Sequence, residues 1–218
     1  LTSYRLRGVL TFVYNDDDDE MEYIFLYTAD DFTGELADCN EGTLEWVPKE
    51  HIDSLNLWEG DRIFHYLLDE DAPFFSLKLC YRDDLLKEAV LNGKPMELLD
   101  LLDEKGEPSG QVRERTLVHL HGDWHRTSHV WVVRKREDGG HDLLLQKRSS
   151  EKGSFAGCYD ISSAGHIPAG QDYLKSALRE LREELGIMAE PDDLRFVGVH
   201  DGRYEGEFHG RIFKNHEK

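Results

Sequence analysis

Residues Gly165–Ile187 read GHIPAGQDYLKSALRELREELGI, and the interpretation of this stretch decides the rest of the chain. Leu174, Leu178, Leu181 and Leu185 recur at spacings of four, three and four, which is one buried face of a helix. Asp172 is a good N-cap for that helix, and Gly186 stops it. Glu180, Glu183 and Glu184 stand at i, i+3 and i+4, so the three carboxylates share a face. Like charges so spaced repel by about a few tenths of a kcal/mol per pair. A bound divalent cation turns that repulsion into a binding site. Magnesium suits it, because this hard ion prefers oxygen ligands and bridges to phosphates. Arg179, four residues before Glu183, is placed to hold that carboxylate. Taken alone, three glutamates on a helix are more often a solvated acidic face.

The full spacing changes that balance. From Gly165 the chain runs glycine, five residues, Gln171, seven residues, then Arg-Glu-Leu-Arg-Glu-Glu-Leu-Gly-Ile. This pattern resembles the Nudix signature. The resemblance implies a three-layer α/β/α sandwich with a mixed sheet (an α/β, α+β class), dependence on Mg²⁺ or Mn²⁺, and attack by water on a nucleoside-diphosphate-type or other organic pyrophosphate. It implies that Glu180, Glu183, Glu184 and the carbonyl of Gly165 ligate metal, with Arg179 orienting a glutamate. The family usually has glutamate where this chain has Gln171, so weakened support for the loop and helix is expected. A base outside the helix is common in the family, and Glu217 falls where relatives place one; an exposed terminal glutamate is the bland alternative. Lys147 and Arg148, just before the box, are candidates to face the phosphates or simply surface charge.

From Met96 onward the chain resembles the isopentenyl-diphosphate-isomerase-like Nudix proteins. The resemblance rests on Glu97-Leu-Leu-Asp-Leu-Leu-Asp-Glu, Gly122-Asp-Trp-His-Arg, His129-Val-Trp, Leu145-Gln-Lys-Arg-Ser and Asp160-Ile-Ser-Ser-Ala-Gly-His. True isomerases use a cysteine before the Gly-His of this loop. Ala164 stands there, and a methyl group exchanges no proton; Cys158 lies six residues upstream. His125 and His166 fall at positions matching the isomerase metal ligands, and His119 is near one. They are candidates for a second metal site, against the commoner outcome of histidines that hydrogen-bond backbone.

Residues 1–91 resemble the C-terminal half of a MutT-like, 8-oxo-dGTP-diphosphatase-type Nudix domain. Leu6-Arg-Gly-Val-Leu-Thr-Phe, Tyr23-Ile-Phe-Leu-Tyr-Thr-Ala and Glu41-Gly-Thr-Leu-Glu-Trp-Val-Pro carry part of that likeness; Leu57-Trp-Glu-Gly-Asp-Arg-Ile-Phe and Phe74-Phe-Ser-Leu-Lys-Leu carry the rest. Trp46 corresponds to a base-contacting position or is a core aromatic. The resemblance implies two partial Nudix domains in tandem. The first (1–91) lacks a box, 92–95 is a linker at Asn92-Gly93-Lys94-Pro95, and the second (96–218) carries box 165–187 and lacks its C-terminal end. Half-domains imply complementation within the chain or in a homodimer.

Local patterning supplies the elements. Tyr4–Tyr14 and Glu22–Ala29 read as strands around Asn15-Asp16-Asp17-Asp18-Asp19-Glu20, a solvated hairpin loop without the glycine and spaced ligands of a calcium site. Thr43–Val47, Phe74–Tyr81, His129–Arg134 and Asp142–Arg148 read as strands, Pro48–Leu57 and Asp61–Leu68 as helices. With 45 acidic against 26 basic residues, the formal charge of −19 argues against a nucleic-acid polymer as partner and leaves a small phosphorylated substrate, met through a cation. Cys39, Cys80 and Cys158 are too few and scattered for a disulfide framework, and no apolar run spans a membrane. A cytoplasmic protein is expected.

Overall fold

The computed structural model describes residues 1–218 apart from 16, 36–39, 152–154 and 209, and without the side chains of 17–20. The chain is mixed α/β and divides into two units, Leu1–Met96 and Glu97–Lys218. Among the described residues no helix is long and apolar enough to cross a membrane.

In the first unit, β1 (Ser3–Tyr14) and β2 (Asp17–Asp31) form an antiparallel hairpin, α1 (Glu59–Asp69) follows, and β3 (Phe75–Arg82) returns parallel to β1. β4 (Leu85–Leu91) and β5 (Lys94–Pro95) complete a five-stranded sheet in the order β2-β1-β3-β4-β5. In β3, Phe75, Leu77 and Leu79 are buried while Ser76 and Lys78 are exposed, the alternation of a sheet with one covered face. Ile63 of α1 joins this core. The helix starts hard against the sheet: the Gly60 N–H donates to the Tyr81 hydroxyl at 2.9 Å, and a side chain on Gly60 would strike Tyr81 and Leu79.

Three expectations for this unit change. Thr43–Val47 forms no strand; it is exposed and has no ladder partner among the described residues. The helix expected over Pro48–Leu57 is a short 3-10 helix, Lys49–Ser54, because Ser54 Oγ donates to the His51 carbonyl at 2.6 Å and Arg62 draws the carbonyls of Asp53 and Leu55 away. At Asn92–Pro95, read as the linker, Asn92 and Gly93, both at positive φ, turn the chain so that β5 pairs back on β4, and the first unit ends at Met96. Of the loop expected over Asn15–Glu20, Asp17–Glu20 belong to β2; Asp16 and the side chains of 17–20 lie outside the described residues, as does Cys39; Cys80 is buried and Cys158 exposed, both free.

The second unit opens with the hairpin β6 (Leu98–Leu102) and β7 (Pro108–Glu114). Glu114 caps α2 (Arg115–His121), accepting the N–H groups of Thr116 and Leu117, and Gly122 closes the helix at φ 77°. There follow β8 (Trp124–His125), β9 (Thr127–Val130), β10 (Val133–Lys135), β11 (His141–Leu143), β12 (Gln146–Lys147), β13 (Tyr159–Asp160) and β14 (Ser163–His166). Then come α3 (Tyr173–Leu185), β15 (Gly202–Phe208) and β16 (Arg211–Glu217). The strands pair in short ladders: β14 with β9, β10 with β11, β12 with β13, and β15-β16-β8. The strand expected over His129–Arg134 is interrupted because Ser162 Oγ accepts the Val132 N–H at 2.7 Å and donates to the Leu144 carbonyl at 2.6 Å, in place of ladder bonds. The strand expected over Asp142–Arg148 is split at the same place, between β11 and β12.

Candidate active site

α3 runs from Tyr173 to Leu185, with the Asp172 carboxylate accepting the Lys175 N–H at 2.9 Å and Gly186 ending it at φ 69°. Ala177 and Leu181 pack on Val130 of β9, with Leu185, Ile187 and Leu194 around them. That buried stripe fixes the roll of the helix and turns the glutamates toward β14.

Each of the three glutamates has a different keeper. The Glu180 carboxylate lies against Gly165, where any Cβ would collide with it. Burial pushes its pKa up, Arg179 opposes the shift, and Glu184 and Glu183 add to it. Arg179 stands between two of the carboxylates, 2.7 Å from Glu180 and 3.1 Å from Glu183. The third, Glu184, accepts a hydrogen bond at 2.9 Å from Ser163, a side chain only 1% exposed. Carboxylate oxygens are the donors that a hard divalent cation prefers, and each of these three is already held by a neighbour.

Beside it stands a second cluster. His119 of α2, His125 of β8 and His166 of β14 bring one ring nitrogen each within 4.8 Å of the others. His119 Nδ1 lies 3.3 Å from the Lys214 carbonyl and His125 Nδ1 3.1 Å from that of Asp123. A carbonyl can only accept, so both Nδ1 atoms carry the proton and both Nε2 atoms keep a lone pair. Those two Nε2 atoms are buried without a hydrogen-bond partner. Backbone bonding and metal readiness, which the sequence set against each other, therefore coexist: one nitrogen orients the ring and leaves the other for a ligand. Burial lowers the pKa of all three, that of His119 to about 4, so the rings are neutral as metal binding requires. Two carboxylates border the cluster, Glu97 at 3.6 Å from His166 and Glu217, which pairs in register with His125.

A family model of the NUDIX domain matches residues 125–217. This part of the chain is a Nudix domain. It is 48% identical over 103 residues to Nudix hydrolase 3 of Arabidopsis thaliana, covering 47% of this chain and 13% of that protein. An uncharacterised Nudix hydrolase of Clostridium acetobutylicum is 42% identical over 113 residues, 52% of each chain. An isopentenyl-diphosphate Delta-isomerase of Pectobacterium atrosepticum is 33% identical over 93 residues, 43% of this chain and 49% of that protein. The chain thus spans about half, or far less, of the length of these relatives.

Within the Nudix domain the remaining candidates separate. Glu217 is anchored on β16: Asn215 donates to it at 2.8 Å and His129 Nε2 lies 3.7 Å away. His129 pairs with Ala164, next to Gly165, so Glu217 is one side chain from the strand that leads into the box. Arg148 is engaged by Asp160 at 3.0 Å, and Lys147 lies 5.9 Å from the centre of the Tyr159 ring. Trp46 belongs to the first unit, where it is 75% exposed and stacks on Phe32. Sequence reasoning missed Ser163 and Glu97 as site residues. Nothing local marks Ser163, since its partner is 21 residues away; Glu97 stands in a motif already noted, but its approach to His166 depends on the fold.

Proposed function

We propose that the Nudix domain hydrolyses an organic pyrophosphate, a nucleoside diphosphate joined to another group or a similar diphosphate, by attack of water on phosphorus. The observation that carries this is the Glu180 carboxylate seated against the backbone of Gly165, with Glu183 and Glu184 on the same helix face. Glu180, Glu183, Glu184 and the Gly165 carbonyl would hold Mg²⁺ or Mn²⁺, and His119, His125 and His166 a further divalent ion. Such an ion, when bound, neutralises phosphate oxygens and lowers the pKa of water. Arg179 keeps Glu180 and Glu183 apart and oriented, and Ser163 does the same for Glu184. Glu217 is the group on this chain suited to take a proton from the attacking water, with Asn215 fixing its other oxygen. The net charge of −19 makes the site hostile to a polyphosphate chain without cations, consistent with a small phosphorylated substrate. A protein acting on such metabolites in the cytoplasm completes the proposal.

A second proposal, isomerisation of isopentenyl diphosphate, draws on the histidine cluster and on the isomerase relative. Ala164 speaks against it, since the strand position before Gly165-His166 offers no group that can donate or accept a proton.

The two separate in one assay. The protein is incubated with Mg²⁺ and, in turn, 8-oxo-dGTP, dGTP, ADP-ribose, NADH and isopentenyl diphosphate, while the products of anhydride cleavage (phosphate, pyrophosphate or a pair of phosphomonoesters) and the carbon skeleton are both followed. Hydrolysis predicts cleavage of the phosphoanhydride bond that EDTA abolishes. A shifted double bond without such cleavage overturns it in favour of the isomerase, and neither product leaves a binding module.

A further inference from the structure

The segment between Gly165 and α3 is held by a device the glutamate set does not include. Asp100, on β6, accepts the Gly170 N–H at 2.9 Å through Oδ2, and the same oxygen accepts from the Arg126 guanidinium at 2.7 Å. That guanidinium nitrogen also donates to the Gln171 carbonyl at 3.0 Å. Around this pair the Ile167 N–H donates to the Arg126 carbonyl at 3.0 Å, and the Ala169 N–H to that of Leu98 at 2.8 Å. Pro168, which has no N–H to give, lies in a bridge with Leu99. Every residue from Ile167 to Gln171 is thus tied to β6 or to Arg126, and Asp172, the helix cap, comes next.

The pair is half-sheltered, with side-chain exposures of 23% for Arg126 and 13% for Asp100, so solvent screens it less than a surface pair. Its bonds to the loop are charge-assisted and reach backbone groups, so they work whatever the side chain at 171. Gln171 itself is exposed and enters through its carbonyl.

We infer that Asp100 and Arg126 are positioning residues that fix the Gly165–Asp172 loop, and with it the distance between the Gly165 carbonyl and the glutamates of α3, making an acidic side chain at position 171 unnecessary. The inference rests on the proposed metal-dependent site. Neither residue touches substrate. They act through backbone geometry, as displacement by about 1 Å at a reacting centre can cost about 100-fold in rate.

The test uses the full chain with Asp100→Asn, Arg126→Gln, their combination, Arg126→Lys, and Gln171→Glu. Hydrogen exchange of the amides in 165–172 and Mn²⁺ binding by electron paramagnetic resonance are measured beside thermal unfolding. The expected result is a local rise in exchange and about tenfold weaker Mn²⁺ binding in Asp100→Asn and Arg126→Gln, with cooperative unfolding retained. The double variant should be no worse than the single ones, because the two side chains act as one unit. Arg126→Lys, which keeps the charge and loses the fork, should fall between. Gln171→Glu should change either quantity by less than about twofold. Unchanged exchange, a rise spread evenly over the chain, or unchanged Mn²⁺ affinity overturns the inference, as does a large gain on Gln171→Glu. If wild type turns over no pyrophosphate, the proposed function falls, and exchange still decides on the clamp.

Discussion

The carboxylate of Glu180 occupies the space that a side chain at Gly165 would need, although the two residues are 15 positions apart on different elements. A Cβ there would meet the flexible end of Glu180, which can swing away, so glycine leaves a seat for a functional group and answers no demand of backbone conformation. Gly165→Ala should push Glu180 off β14 and lower turnover about 100-fold, with the fold kept. Circular dichroism beside a Mg²⁺ titration checks this; full activity in the variant would show that Glu180 does not need its seat.

Ser163 is predicted to set the metal affinity through Glu184. Ser163→Ala leaves one carboxylate without its buried donor, and loss of such a supporting bond weakens metal binding by about 10-fold or more. The half-saturating Mg²⁺ concentration should rise while the rate at saturating metal recovers most of its value. A fall in the saturated rate alone would contradict the assignment.

Two independent divalent sites are expected. His166→Gln should remove one bound Co²⁺ or Mn²⁺ equivalent and leave the glutamate site, while Glu183→Gln should do the reverse. Equilibrium dialysis of each variant counts the ions. Loss of both equivalents in either variant would make the clusters a single site.

Acid stability in the first unit should depend on Asp71. Its hydrogen bond with Arg5, then the charges of Arg5 and Arg7, hold this exposed carboxyl below the ordinary carboxylate range. Arg7 is itself buried, with Asp71 3.0 Å away. The unfolded chain takes up the proton first as pH falls, so the stabilisation is whole above the unfolded pKa and is lost as pH drops through the lower folded value. Asp71→Asn should flatten the decline of stability below about pH 4, and salt should shrink the difference from wild type. Parallel unfolding curves for both proteins across that window would refute the coupling.

Legibility in the sequence followed the range of the forces. α3 was readable to the residue, because its cap, its apolar stripe and its stop at Gly186 all lie within one short segment. β1, β2, β3 and α1 were legible for the same reason. What failed depended on partners outside the segment being read: Ser162, 18 and 30 positions away, cutting one strand and splitting another, and Arg62, seven and nine positions on, drawing carbonyls out of the helix after Pro48; Thr43–Val47 has no ladder partner among the described residues. In the site, the glutamates could be named from their spacing and the resemblance, the three histidines from the resemblance alone. Their supports, Ser163, Asp100 and Arg126, emerge only when β6, β14 and α3 are brought together.

The most direct measurement is Mg²⁺-dependent cleavage of the phosphoanhydride bond, followed by separating the products, by wild type and Glu183→Gln across the same substrate panel. The account predicts turnover of at least one pyrophosphate by wild type and its loss in Glu183→Gln, with both proteins equally folded. Equal turnover in the two would place the chemistry away from α3 and contradict the account; no turnover in a folded, metal-binding wild type would show that this chain does not hydrolyse these pyrophosphates.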